Sequence, residues 1–166
     1  MADYSAMSWS ELERMMYGTG ASFDRIAFER LGNGNGTAKK LRQAFTTSLK
    51  KGETYEQLLH RIEKVTGAEA YAARRIARTE MTRIESTAKM TAALEYLKQS
   101  GGTLKKKWIC TFHNSRDSHI GLHGDIVGIN DDFIADGGPM KYPGDGSRVG
   151  PEEIINCQCY LEILKG

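Results

Sequence analysis

The sequence predicts an α+β protein: a mainly helical N-terminal region followed by a small C-terminal α+β unit with few, short strands. Two observations carry this expectation. Positions 68–99 contain neither Gly nor Pro and are rich in Ala, a composition that favours one long helix. From Gly101 onward the chain holds 11 of its 18 glycines and all three prolines, with short β-branched and aromatic runs between them.

The elements follow in order. Ser8 to Glu11 has the S-x-x-E spacing of a capping box, in which the Ser hydroxyl and the Glu carboxylate satisfy free N–H groups at a helix start. A short helix to about Tyr17 and a second piece to about Leu31 are expected. The run Gly32-Asn33-Gly34-Asn35-Gly36 reads as a break, because Gly and Asn tolerate positive φ. Thr37 then caps a helix carrying Leu41, Phe45 and Leu49 at i, i+4 spacing, with Gly52 as its stop. Thr54 and Gln57 form a second capping box, opening a helix with Leu58, Leu59, Ile62 and Val65 that ends at Gly67. After the long helix, Leu104 to Phe112 reads as a strand with Trp108 and Cys110 on one face. Asp125 to Ile129 and Cys157 to Leu164 are two further strands. Pro151 to Ile155 reads as one helical turn with Pro at its first position. Asn130 to Gly150 is expected to be irregular. The domain reading is an arm over 1–36, a helical region over 37–102 and a small Gly-rich α+β unit over 103–166.

Composition bounds the function. With 40% hydrophobic and 27% charged residues, the chain can fill a core and stay in water. No apolar run approaches the roughly 20 residues of a membrane span, and the N-terminus lacks the basic flank and apolar stretch of a secretory signal. Three cysteines, an odd number, argue against a disulfide framework and for a reducing compartment. The net charge of +2 hides an asymmetry: residues 37–107 carry 16 Lys/Arg against 7 Asp/Glu, a balance of +9, whereas 103–166 carry 7 against 9. The basic excess is expected to place Lys39, Lys40, Arg42, Lys105, Lys106 and Lys107 on an exposed surface able to meet phosphates of double-stranded DNA without sequence preference. Solvated helix faces carry such charge as well.

Three clusters could carry chemistry. Ile76-Ala77-Arg78-Thr79-Glu80 lies in the long helix, where Ala73, Ala77, Glu80, Ile84 and Ala88 share a face. A carboxylate on an apolar stripe needs a partner, since an unpaired buried charge is very costly. Arg116, His119 or backbone N–H groups near 116–119 are the expected donors to Glu80. The second cluster runs from Trp108 to Gly124 and holds three of the four histidines, with His119 and His123 at i, i+4 spacing. The third is Asn156-Cys157-Gln158-Cys159. Cys110, His119, His123, Cys157 and Cys159 are the residue types of a tetrahedral zinc site. The alternative is a set of reduced thiols and hydrogen-bonding imidazoles that needs no cofactor. Cys110 with His113, or Ser118 with His119, could be drawn as nucleophile and base, but no third group orients either pair. Phosphate-loop, dinucleotide and metalloprotease signatures are absent from the sequence.

The order of these clusters resembles the Mu-F-like head morphogenesis family of phage minor capsid proteins. The resemblance rests on I-A-R-T-E at Ile76 to Glu80 (with Arg78 and Thr79), Trp108 some thirty residues later, R-D-S-H…G at Arg116, Asp117, Ser118, His119 and Gly124, Pro143 in a loop, and N-C-x-C at Asn156 to Cys159. It covers roughly 37–164. The chain departs from the pattern at Gln158, where N-C-R-C is common, and lacks the C-x-x-C that some members carry near D-S-H. The resemblance implies a structural virion protein inside the phage head, and not an enzyme. It implies portal protein, capsid or scaffold components and DNA as partners, and the host cytoplasm as the place of assembly. Two alternatives stay open: a nuclease or toxin-like enzyme delivered with phage DNA, and a zinc-stabilised binding module.

Overall fold

A computed structural model describes residues 34–67, 70–113 and 115–166. The expected capping box at Ser8 and the helices up to Leu31 lie outside the described residues. Those described fall into two compact units, divided between Arg78 and Thr79. Helix α1 spans Gly34–Lys50, α2 spans Tyr55–Thr66 and α3 spans Ala70–Ser100. The change in composition at Gly101-Gly102 therefore marks where helix gives way to strand, whereas the compact units part within α3.

In the first unit, α1 begins at Gly34, three residues before the expected cap at Thr37. A glycine in the first helical turn costs only about 1 kcal/mol relative to Ala, so the Gly-Asn run does not exclude helix there. Leu41, Ala44, Phe45 and Leu49 are buried on α1, and Leu58, Leu59 and Ile62 on α2. The Thr54 capping box forms in full: the Gln57 N–H donates to the Thr54 hydroxyl, and the Thr54 N–H donates to the Gln57 side chain at 2.8 Å. At the other end, Gly67 adopts φ 66° and its N–H closes on the Glu63 carbonyl at 2.8 Å. Arg61 pairs with Glu53, donating from Nε at 3.0 Å and from a second guanidinium nitrogen.

The second unit is built on a three-stranded antiparallel sheet in the order β2-β1-β5, with β1 Leu104–Ile109, β2 Ile126–Gly128 and β5 Tyr160–Lys165. Lys106 pairs with Val127 on one side and Ile163 on the other. Leu104, Lys106 and Trp108 alternate onto the buried face of β1. The expectation that Lys106 is exposed is thus corrected. The period-2 alternation that buries Trp108 buries Lys106 with it, at 0% exposure, while Lys105 is exposed and Lys107 half-buried. The core gathers Met90 and Ala93 of α3 with Leu104, Trp108, Leu122, Phe133, Met140, Ile154 and Leu161. Lys89 of α3 donates to the Leu161 carbonyl of β5 at 3.0 Å.

The stretch expected to be irregular contains a hairpin, β3 Phe133–Ala135 with β4 Gly138–Met140, joined by Asp136-Gly137. Its remainder is organised by carboxylates. Asp145 accepts from the Lys141 N–H at 2.8 Å and from Ser147 N–H and Oγ at 3.0 and 2.6 Å, and Asp132 takes both terminal nitrogens of Arg148 at 2.6 and 2.9 Å. Gly144, at φ 84°, passes so close to α3 that a Cβ there would stand 3.0 Å from the Arg83 Cα. Two short helices complete the unit, α4 Asp117–Gly121 and α5 Pro151–Ile154. The turn expected at Pro151 forms, with Pro at its start.

Candidate metal centre

Local structure brings the N-C-x-C segment to His119. Arg116 precedes α4 in extended conformation, and its guanidinium donates to the carbonyls of Glu153 at 3.1 Å and Ile155 at 2.7 Å, the end of α5. The chain then turns through Asn156 at φ 61°, a left-handed conformation that Asn tolerates better than most residues. Two threonines of α3 fix that turn. Thr79 Oγ1 accepts from the Asn156 N–H at 2.8 Å, and Thr82 Oγ1 donates to the Cys157 carbonyl at 2.6 Å. Cys157 and Cys159 are thereby held against His119, whose Nδ1 lies 3.5 Å from Cys157 Sγ and 3.6 Å from Cys159 Sγ. All three residues are buried, and their ligand atoms lie within 4.8 Å of one another.

The far side of the imidazole meets Glu153. Nε2 stands 2.9 Å from Glu153 Oε2, near enough for charge pairing but off the axis of the ring N–H, so the contact is one of distance and not a directed hydrogen bond. Glu153 also accepts from Ser118 Oγ at 3.2 Å and from the Gly137 N–H at 3.1 Å. Trp108 packs edge-on to His119 at 5.0 Å and to Phe133 at 5.3 Å between centroids, walling the site with apolar surface. Gly124, at φ 90°, donates its N–H to the Trp108 carbonyl at 2.9 Å and returns the chain towards β2.

The two thiols behave as a coupled pair. The hydrogen bond between them lowers the pKa of Cys157, against the effect of burial, and Arg116 lowers it further while Cys110 opposes. The same hydrogen bond, reinforced by burial, pushes Cys159 up. Ionising one of two adjacent thiols makes ionising the other harder unless a cation balances the charge.

Several expectations are corrected here. Glu80 was expected to draw on Arg116, His119 or nearby backbone. Its carboxylate instead accepts from Arg83 Nε at 2.9 Å, one turn along the same helix, with both side chains buried. Arg116 is engaged with the α5 carbonyls, and the carboxylate facing His119 is Glu153. His119 and His123 do not share a face, because α4 is only five residues long and ends before His123. His123 is exposed, and its Nδ1 accepts from the Cys110 N–H at 3.1 Å. Ser118 donates to Glu153, which leaves it no base in His119. Asp117 is exposed in the first turn of α4, and Arg78 belongs to the first unit. Glu153 is the site residue that sequence reasoning missed. Nothing in Pro151-Glu152-Glu153 distinguishes the buried acid from its neighbour.

The chain matches the family described as phage Mu protein F like protein over residues 39–162. It is 31% identical over 131 residues to a protein of Enterococcus faecalis named NAD(+)–arginine ADP-ribosyltransferase EFV, which covers 78% of this chain and 26% of that protein. It is 25% identical over 130 residues to the uncharacterised protein YqbB of Bacillus subtilis, covering 75% of this chain and 41% of that one. The chain thus spans about a quarter and about two fifths of the lengths of these relatives. No solved structure matches it. Among the described residues no helix is long and apolar enough to cross a membrane. The match over residues 39–162, which takes in every motif segment from Thr79 to Cys159, shows that the chain belongs to the phage Mu protein F like family and is a phage-head-related protein.

Proposed function

We propose that this chain is a minor head protein, a structural component of the virion that acts near the portal in head assembly and in DNA packaging or ejection, and not an enzyme. The observation that carries the reading is how the motif residues and the polar side chains around them are engaged. Thr79, Thr82, Arg116, Ser118 and Glu153 bind one another or the backbone of neighbouring segments. Side chains committed in this way fix a scaffold. A nucleophile or general base would instead face a substrate. Portal protein, capsid or scaffold components and DNA are the partners this role requires, and the host cytoplasm is where assembly would bring them together.

The alternative, a toxin-like enzyme delivered with DNA, draws on the name of the Enterococcus faecalis relative, of which the aligned segment is 26%. Co-expression with portal, scaffold and coat proteins separates the two. Procapsids isolated by sedimentation should contain the chain in a few copies each, and portal rings purified alone should retain it. Procapsids that assemble with portal but exclude the chain would remove the head role. Transfer of ADP-ribose to arginine by the purified chain would install the enzyme reading in its place.

A further inference from the structure

We propose that His119, Cys157 and Cys159, completed by Cys110, hold a structural zinc ion. Distance is the first argument. With zinc–sulfur bonds of about 2.3 Å and a zinc–nitrogen bond of about 2.0 Å, a tetrahedral angle sets sulfur and nitrogen about 3.5 Å apart. The two sulfurs lie 3.5 and 3.6 Å from His119 Nδ1, so two edges of the tetrahedron are already in place.

Orientation is the second argument. A metal-binding imidazole characteristically turns its other nitrogen to a carboxylate, which fixes the ring and raises the basicity of the ligand atom. His119 presents Nδ1 to the sulfurs, and Glu153, held by Ser118 and by the Gly137 N–H, stands 2.9 Å from Nε2, off the axis of its N–H but within reach of it after a small turn of the ring. That hairpin glycine is required for the carboxylate to be there, since a Cβ on Gly137 would stand 2.6 Å from Glu153 Cγ. Thiol–imidazole hydrogen bonding by itself would need no buried carboxylate behind the ring.

The fourth ligand follows from the end of β1. Cys110 is the remaining cysteine of the chain and is buried at 2% exposure at the end of β1; its sulfur stands outside the group of three ligand atoms that lie within 4.8 Å of one another, so closing the tetrahedron requires its side chain to swing in. The backbone after it folds round the sulfur, with Phe112 at φ 60° donating its N–H to Cys110 Sγ at 3.4 Å. Four protein ligands leave no open position, which makes the site structural. On binding, each cysteine releases its proton to solvent and His119 enters neutral.

The test uses the full chain. Plasma mass spectrometry of protein purified without chelator should find one zinc per chain, and stripping the metal should lower Tm. Cobalt(II) added to the stripped protein should give a tetrahedral spectrum with sulfur-to-metal charge transfer of three thiolates. Cys110→Ser should reduce that band by about a third. Glu153→Gln, which removes the negative charge but keeps the shape, should weaken metal affinity roughly 10–100-fold. Cys157→Ser and His119→Ala can unfold the chain, so the wild-type cobalt titration decides. Wild-type protein that purifies without metal and shows no charge transfer with cobalt overturns the site. A band unchanged by Cys110→Ser overturns the assignment of the fourth ligand.

Discussion

Lys106 is the residue whose surroundings most oppose its nature. Its ammonium donates to the Lys141 carbonyl at 2.8 Å and sits 5.4 Å above the Phe133 ring. Burial lowers its pKa to about 8, although Asp132, Asp131 and Asp145 favour the charge and Lys141 opposes it. The unfolded chain, with an ordinary lysine near 10.5, therefore holds more protons than the folded one between about pH 8 and 10.5. This lysine makes stability rise with pH across that window, and its full cost, up to about 3 kcal/mol, is present below pH 8. Lys106→Met removes the cost but leaves the Lys141 carbonyl without its donor, a loss of about 1–3 kcal/mol. The net change at pH 7 is therefore small, and the diagnostic is the slope. Thermal unfolding of the variant, compared with wild type at pH 7, 8.5 and 10, should show the variant losing ground steadily as pH rises. A difference constant with pH would mean that Lys106 is charged in the folded state.

Among the elements, α2 shows a local signal acting as its chemistry demands. Both arms of the Thr54–Gln57 box form, so Thr54→Ala should cost about 0.5–2 kcal/mol in urea unfolding while Thr54→Ser stays close to wild type. Equal loss for both would place the stabilisation in the Thr methyl group. Signals of this kind, within four residues of each other, were legible in the sequence: the second capping box, Gly67, the Pro151 turn and the strand containing Trp108. What was not legible depended on distant partners. The Asp136-Gly137 pair is a strong hairpin signal, yet its flanking strands are three residues each and too short to show alternation. The stripe on α3 did predict that Glu80 is buried, and the i, i+3 spacing of Arg83 was a local signal that the search for a partner in 116–119 passed over. The site was half visible. His119, Cys157 and Cys159 stood out by residue type, whereas Glu153 becomes distinguishable only once α5 is docked beside His119. The alternation that marks β1 should also have placed Lys106 inside, and the charge balance of the region concealed it.

For the whole molecule, the basic balance of 37–107 must be discounted for charges that face inward. Lys39, Lys40 and Lys105 are exposed, Arg42 and Lys107 are half-buried, and Lys106 is enclosed. Lys107 also has Glu162 at 3.9 Å, a contact worth little in water but one that offsets its charge. Lys39 and Lys40 lie in the first unit and Lys105 and Lys107 in the second, so each unit contributes its own cations. Duplex DNA in the head would be met through phosphates, and affinity should then fall with salt at a slope of about −0.9 per phosphate neutralised. With three or four cations available (Lys39, Lys40 and Lys105, with Lys107 in part), a log–log slope of roughly −3 to −4 is expected, independent of DNA sequence. Lys39→Glu with Lys40→Glu should flatten that slope by about 2, because two phosphate contacts are lost. Lys106→Met should leave it unchanged, since a buried ammonium releases no counterions. Fluorescence anisotropy with a random duplex from 20 to 200 mM salt, about the range over which such contacts weaken most, reads both variants. If Lys106→Met flattens the slope as much as the double variant, the buried placement of Lys106 is wrong. If wild type shows no salt dependence, DNA is not a direct partner, and the proposed role in packaging or ejection would have to run through protein contacts instead.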